Sequence, residues 1–207
     1  MTNTEMPLLE TERLRIRPLR RKDLAAVSHI LDEALGFTDG GDQELRGLRE
    51  RRRWLEWTVR GYHELGQLFQ PPYNDRAVVL KSSEELIGVC GLVPSLGPFG
   101  QIGLGEAAPG AMTPEVGLFY AVHPRWQRQG YALEAAQALV HYAFAELHLA
   151  RVVATTRDDN PASRAVMRRL GMTLRRNPLP EPAWFQWVGV LHNPRYAPAN
   201  PQEALRD

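Results

Sequence analysis

Polar and apolar residues alternate with period two through RLRIRPL, Arg13–Leu19, which predicts a first strand. The period then lengthens. Behind Asp23, a helix-capping residue, Leu24, Val27, Leu31 and Leu35 recur at helical spacing until Gly36 supplies a stop. A second helical pattern lies between Glu44 and Gly66, on Leu45, Leu48, Leu55, Thr58, Tyr62 and Leu65. RAVVLKS and ELIGVCGLV follow as strand-like runs joined by Ser83 and Glu84, the pattern of a hairpin. EVGLFYAV, Glu115–Val122, is a further strand. Past a polar loop, Leu133, Ala136, Val140, Phe144 and Leu147 mark one face of a helix entered near Gln129. ARVVATT, Ala150–Thr156, reads as a buried strand after a crossover helix. NPASRAVMRRLG reads as a short helix with Asn160 at its cap, Pro161 in its first turn and Gly171 past its end. AWFQWVGVL, Ala183–Leu191, closes the pattern as an aromatic strand. Strands around a strand–helix–strand crossover predict an α/β or α+β fold with a mixed sheet.

Two stretches show no period. Pro94–Pro114 is rich in glycine and proline, and loops of that length are uncommon unless they serve a function. The end of the chain, 193–207, is proline-rich and reads as an irregular tail. Without repeats or low-complexity linkers, residues 1–192 are expected to form a single domain.

Composition narrows the function classes. The 207 residues are 43% hydrophobic and 24% charged, an ordinary globular balance. A formal net charge of +1 gives no general reason to bind nucleic acid or an anionic membrane. No apolar run reaches the roughly 18 residues of a membrane span, and the N-terminal stretch lacks a signal-peptide core. Cys90, the one cysteine, excludes an internal disulfide and a zinc-binding cysteine cluster, and the histidines show no pairing pattern, so no metal is expected. A cytoplasmic protein is the natural reading.

Candidate chemistry begins at HPRWQRQGYALEAAQAL, His123–Leu139. The turn Gln127-Arg128-Gln129-Gly130-Tyr131-Ala132 opens into the longest alanine-rich helix, directly after a strand. The first N–H groups of a helix have no internal partner and carry partial positive charge, and a glycine lets a phosphate approach them. Arg125 and Arg128 add charge, giving the composition of an anion cradle. Taken alone, the hexapeptide also fits a plain strand-to-helix turn.

The order of elements and the NPASRAVMRRLGM segment complete a pattern that resembles the GNAT superfamily of acyl-CoA-dependent N-acyltransferases. Gln127, Gly130 and Ala132 match the superfamily's pyrophosphate motif, Gln/Arg-x-x-Gly-x-Gly/Ala. LETERLRIRPLRRKDL and PEVGLFYAVHPRWQRQGYALEA are most similar to the ribosomal-protein N-terminal acetyltransferase branch, of RimJ/RimL type. The resemblance runs from about Leu9 to Leu191.

It implies a mixed, mostly antiparallel central sheet with a splayed strand pair and flanking helices. It implies acetyl-CoA as acyl donor, with its pyrophosphate on the amides of Arg128, Gln129, Gly130, Tyr131 and Ala132. The main-chain groups of Tyr120 and Val122 would meet the pantetheine arm, and Asn160 and Ser163 would lie near the arm or the thioester. Asn160 also reads simply as a cap, and Ser163 as a first-turn residue. Many relatives carry a tyrosine, the leaving-group acid, seven residues after the cap asparagine. Here Met167 stands there, which leaves Ser163 as the nearest replacement. Glu115 is the best candidate for a base acting through water, and its alternative is a structural glutamate.

The resemblance thus predicts direct transfer of acetyl to a primary amine in a ternary complex, no activated cysteine being present to carry the group. An α-amine, titrating near 8, sits close to free base at neutral pH. A lysine needs about 3–5 kcal/mol to lose its proton. That favours a protein N-terminus as acceptor. A small-molecule amine, or a non-catalytic acyl-CoA-binding module, remain the alternatives. RGLRERRRW, Arg46–Trp54, reads as a solvated helix face or as an RNA-facing surface. Trp184, Phe185 and Trp187 would alternate between the core and an acceptor wall or homodimer interface.

Overall fold

The computed structural model describes residues 7–36, 47–71, 73–105, 108 and 110–196. It is a mixed α/β fold on an eight-stranded open sheet, mostly antiparallel, in the order β1-β2-β3-β4-β5-β6-β8-β7. The strands are β1 Leu9–Glu10, β2 Leu14–Pro18, β3 Asn74–Leu80, β4 Leu86–Gly97, β5 Thr113–Val122, β6 Arg151–Thr156, β7 Thr173–Arg176 and β8 Trp187–His192. Four helices join them: α1 Leu24–Ser28, α2 Leu48–Gln67, α3 Tyr131–Ala145 and α4 Pro161–Arg169. β5 and β6 run parallel, with Gly117 opposite Val153. The chain divides into two compact units, 1–93 with 119–142 and 94–118 with 143–207.

In the first unit, Leu19, Val27, Ile30, Leu31, Leu55, Ala77, Val79, Val89 and Ala121 form a buried cluster, with Trp54, Val59 and Phe119 packed against it. Each fully buried aliphatic side chain contributes roughly 1.5–3 kcal/mol. The helix expected after Asp23 is one helical run of three windings. A 3-10 turn at Arg21–Asp23 leads into α1, which widens into a π-helical turn at His29–Ala34, where Leu35 N donates to Ile30 O at 3.1 Å. Gly36 ends it at φ +59°, as its type predicts. The wide turn brings Asp32 inside, where it pairs with buried Arg51 of α2. The arginine run is therefore not uniformly a solvated face. Glu44, Leu45 and Arg46 lie outside the described residues, α2 begins at Leu48, and Leu48 is exposed.

Helix α3 starts two residues later than the pattern suggested and buries Ala135, Ala136, Leu139, Tyr142 and Ala143, so that of the predicted stripe Ala136 is buried while Leu133, Val140, Phe144 and Leu147 are half-buried. The sequence is apolar around most of the helix, so spacing could not select a side. Small alanines, which permit close approach, decide it.

In the second unit the segment expected to be irregular is partly ordered. β4 continues to Gly97, a 3-10 turn covers Phe99–Ile102, and β5 begins at Thr113. Gly97 marks ring packing, not a loop: a Cβ there would meet the Phe99 ring at 3.0 Å and the Phe185 ring at 3.2 Å. Phe99 and Phe185 meet edge to face, 5.1 Å apart, within a cluster holding Ile102, Leu104, Val153, Val188 and Val190. The aromatic end is likewise not one strand. Ala183–Phe185 is a 3-10 turn that drops Phe185 into the core, leaves Trp184 partly exposed, and precedes β8. Of the expected tail, Asn193 is buried and anchored, its Nδ2 donating to Leu149 O at 3.0 Å, while 197–207 lie outside the described residues.

Candidate acyl-donor site

The turn ahead of α3 is built from alternating backbone senses. Arg128 takes φ +59° and Gly130 φ +86°, with Gln129 between them. Successive turns of this kind aim neighbouring N–H groups at one point, as an anion-binding nest does. The first intrahelical bond is Glu134 N to Gly130 O at 3.0 Å, so the amides of Tyr131, Ala132 and Leu133 precede it at the positive end of a 15-residue helix. Gly130 is required twice over. Its φ suits glycine, and a Cβ there would meet Arg13 Nη2 at 3.3 Å. Arg125, Arg128 and Gln129 are exposed beside it.

Residues from the far end of the chain hold the turn in place. Arg13 donates from Nη1 to Gln129 O at 3.0 Å and from Nε to Glu134 Oε2 at 2.7 Å, and its guanidinium lies 4.4 Å from the Tyr131 ring centre. Thr11 Oγ1 and Arg13 N both donate to Glu134 Oε1, at 2.6 and 2.9 Å. Although partial burial pushes the other way, these bonds together hold the Glu134 carboxyl below its ordinary range. Gln127, the first residue of the matched motif, turns inward instead, and its Nε2 donates to Val122 O at 2.9 Å, tying the loop to the end of β5. His123 Nδ1 accepts from Arg125 N at 3.2 Å, and its ring stacks on His29 at 5.0 Å. Arg13, Thr11 and Glu134 were not singled out by sequence reading. Arg13 stood in a predicted strand, 121 residues from its partner, and no local pattern carries that pairing.

In the second unit, Asn160 caps α4, its Oδ1 accepting from Ser163 N at 3.0 Å, which accounts for about 1 kcal/mol of helix stability. Ser163 is half-buried in the first turn. Met167 is fully buried, and a Cβ on Gly189 of β8 would come within 3.2 Å of its Sδ. Glu115 is locked to Arg151, which donates from Nε at 3.1 and 2.9 Å and from Nη2 at 2.5 Å. The Glu115 carboxylate holds the Arg151 guanidinium above the ordinary arginine value, against partial burial. Glu115 would serve as a base only after Arg151 released it.

A cleft of about 720 Å³ also opens in this unit, lined by residues that include Arg157, Asp158, Arg176, Asn177 and Gln186. None of the predicted site residues lines it. Asp158 accepts from Trp187 Nε1 at 2.6 Å and from Arg176 Nη2 at 3.1 Å, and the tryptophan bond in particular keeps its carboxyl below the usual range. Arg164 Nη1 donates to Asp158 O at 2.6 Å. Cys90 is fully buried, and desolvation pushes its thiol up to about 12, which fits core filler and not a nucleophile. Among the described residues no cluster of three or more metal-ligating side chains occurs, and no helix is long and apolar enough to cross a membrane.

Against known families, residues 13–173 match the acetyltransferase (GNAT) domain. The chain belongs to the GNAT acetyltransferase family. An uncharacterised N-acetyltransferase of Bacillus subtilis, YnaD, is 43% identical over 63 residues, 30% of this chain and 36% of that protein. The chain thus spans about a third of that relative's length. Among solved structures, an acetyltransferase from Agrobacterium tumefaciens strain C58 superposes with a TM-score of 0.66 at 26% identity, covering 91% of this chain and 95% of the other. The RimL ribosomal L7/L12 α-N-protein acetyltransferase, solved with coenzyme A, shares the fold at a TM-score of 0.59 and 20% identity over 88% of this chain and 97% of that one.

Acetyl-CoA is the acyl donor of GNAT acetyltransferases, and the nest at Arg128–Gly130 fits its pyrophosphate in charge and in backbone sense. Met167, the position where many GNAT members carry a tyrosine, is a core residue here and no proton donor.

Proposed function

We propose that the protein transfers acetyl from acetyl-CoA to a primary amine, and that the acceptor is a protein N-terminal α-amine. The observation that carries this reading is the turn before α3, with left-handed Arg128 and Gly130 clamped from behind by Arg13 and Glu134. When bound, acetyl-CoA supplies the activated thioester. The chain's own groups bind and orient. The amides from Arg128 to Ala132 hold the pyrophosphate, with Arg125 and Arg128 adding charge. Main-chain groups of Tyr120 and Val122 on β5 guide the pantetheine arm, and Gln127 ties the loop that follows to Val122 O at the end of that strand. Asn160 and Ser163 are assigned to the arm or the thioester end, the serine standing in for the missing tyrosine. With no reactive thiol, the amine attacks directly in a ternary complex. The fold shared with the RimL protein supports an N-terminal acceptor, and so does acidity, since an α-amine is already close to free base at neutral pH.

The test is isothermal titration with acetyl-CoA and CoA, repeated on Gly130→Trp, which combines a φ that side-chain residues rarely adopt with a tight approach to Arg13. Binding in the parent and its loss in the variant supports the reading. Thiol release on peptides with free N-termini against small amines then ranks the acceptors. No binding in the parent protein would sink it.

A further inference from the structure

Beneath α2, the start of β3 carries several features that packing alone does not require. Asn74 adopts φ +125°, a conformation that costs a non-glycine residue about 1–3 kcal/mol and that clusters at functional positions. Two glycines make room for it. A Cβ on Gly61, in mid-helix, would collide with the Asn74 side-chain amide, and a Cβ on Gly91, paired with Asp75, would meet Asn74 O at 2.7 Å and Asp75 Cα at 2.8 Å. Next along the strand, Asp75 is 9% exposed, and its Oδ1 is buried with no hydrogen-bond partner. Alternation along β3 puts it on the face of Ala77 and Val79, in the cluster that also holds Ala121 and packs Phe119 of β5. Thr58 of α2 is 0% exposed, and its hydroxyl is also without a partner. Tyr62, one turn further on, donates to Asp75 O and accepts from Leu19 N, so its own hydroxyl is committed.

Two orphaned side-chain oxygens, one on α2 and one on the β3 strand it packs against, call for a donor with several N–H groups. A primary ammonium has three. Resting on the acetyltransferase reading, we infer that Asp75, aided by Thr58 of α2, binds the ammonium of the acceptor and takes its proton. One N–H bond breaks, its electron pair stays on nitrogen as the nucleophilic lone pair, and the proton is held on Asp75 Oδ1. Asp75 feels the charge of Arg51 of α2 and acts in turn on Tyr62 of α2 and Cys90 of β4, while Arg76 follows it on its own strand and Asp23 of the turn before α1 acts on Tyr62. Arg51 is committed to Asp32 at 2.5 Å, and Asp23 to Arg17 at 2.7 Å. Desolvation outweighs the pull of Arg51 and pushes the Asp75 carboxyl up to about 7. A bound ammonium favours the carboxylate again, and an α-amine titrating near 8 gives up its proton to it more readily than a lysine near 10.4.

The test reads Asp75 directly, by carbon NMR of protein labelled at the aspartate carboxyl, with the resonance identified by its loss in Asp75→Asn. It is expected to titrate near neutrality and to shift when alaninamide is added without any acetyl-CoA, and Thr58→Val is expected to weaken that response. With a peptide acceptor, Asp75→Asn is expected to lower kcat/KM roughly 100-fold or more while leaving acetyl-CoA affinity intact. A resonance that ignores alaninamide, or a variant that keeps kcat/KM, overturns the proposal and leaves a water as the occupant. Failure of acetyl-CoA binding would instead remove the acetyltransferase reading, and the alaninamide arm would stand apart from it.

Discussion

Arg128 is the residue at which local strain meets the proposed acetyl-CoA site. Holding an arginine at φ +59° costs about 1–2 kcal/mol relative to a glycine's freedom there. Arg128→Gly is therefore expected to raise thermal stability by about 1 kcal/mol and to weaken acetyl-CoA binding through the lost charge. Thermal unfolding checks the first half. Titration at low and high salt checks the second, because the affinity gap should narrow as salt screens the guanidinium. At this scale legibility was uneven. Gly130 stood out only through the order of elements around it, since the hexapeptide alone fits a plain strand-to-helix turn as well. Arg128's backbone sense and Asp75's isolation could not, since each is imposed by neighbours far away in the chain. Gln127 matched a motif by letter, and its amide turned out to brace Val122.

Between elements, the π-helical turn and α2 are joined by an ion pair taken out of water. Asp32 accepts from Arg51 Nη2 at 2.5 Å and from Ser28 Oγ at 2.9 Å, and both charged side chains are about 95% buried. Removing one partner leaves the other charged and uncompensated. Arg51→Met is expected to cost about 3–5 kcal/mol in urea unfolding, and adding Asp32→Asn should return much of it. A double variant no more stable than the single one would mean the pair contributes little. Elements with a strong period were legible: β2, the β3–β4 hairpin and α4 with its asparagine cap. β7 was not, because Thr173–Arg176 is four residues at the edge of the sheet, too short and too polar to alternate visibly. β4 was read short because Pro94 and Gly97 look like loop residues in isolation, whereas Gly97 is there for two aromatic rings.

For the whole molecule, Asp75 ties stability to pH. Its folded-state value of about 7 lies above the ordinary 3.8, so the neutral carboxyl favours the folded state at low pH. That advantage erodes as pH rises from 3.8 towards about 7, where the unfolded chain ionises first, and is gone above it. Melting temperatures of the parent and Asp75→Asn should agree below about pH 4 and separate as pH rises, the variant being the more stable at pH 8. Each kcal/mol corresponds to roughly 2–4 °C for a chain of this size. Coincident curves at every pH would show that the carboxyl ionises freely.

The last consequence concerns heredity. On β8 the space a side chain would fill at Gly189 is taken by two sulfurs from elsewhere, Met172 Sδ at 2.8 Å and Met167 Sδ at 3.2 Å from where its Cβ would stand. Positions 167, 172 and 189 therefore share one volume and cannot drift independently. A descendant that gains bulk at 189 must move or trim one of the methionines, and a lineage that places a tyrosine at 167 has to refit all three together.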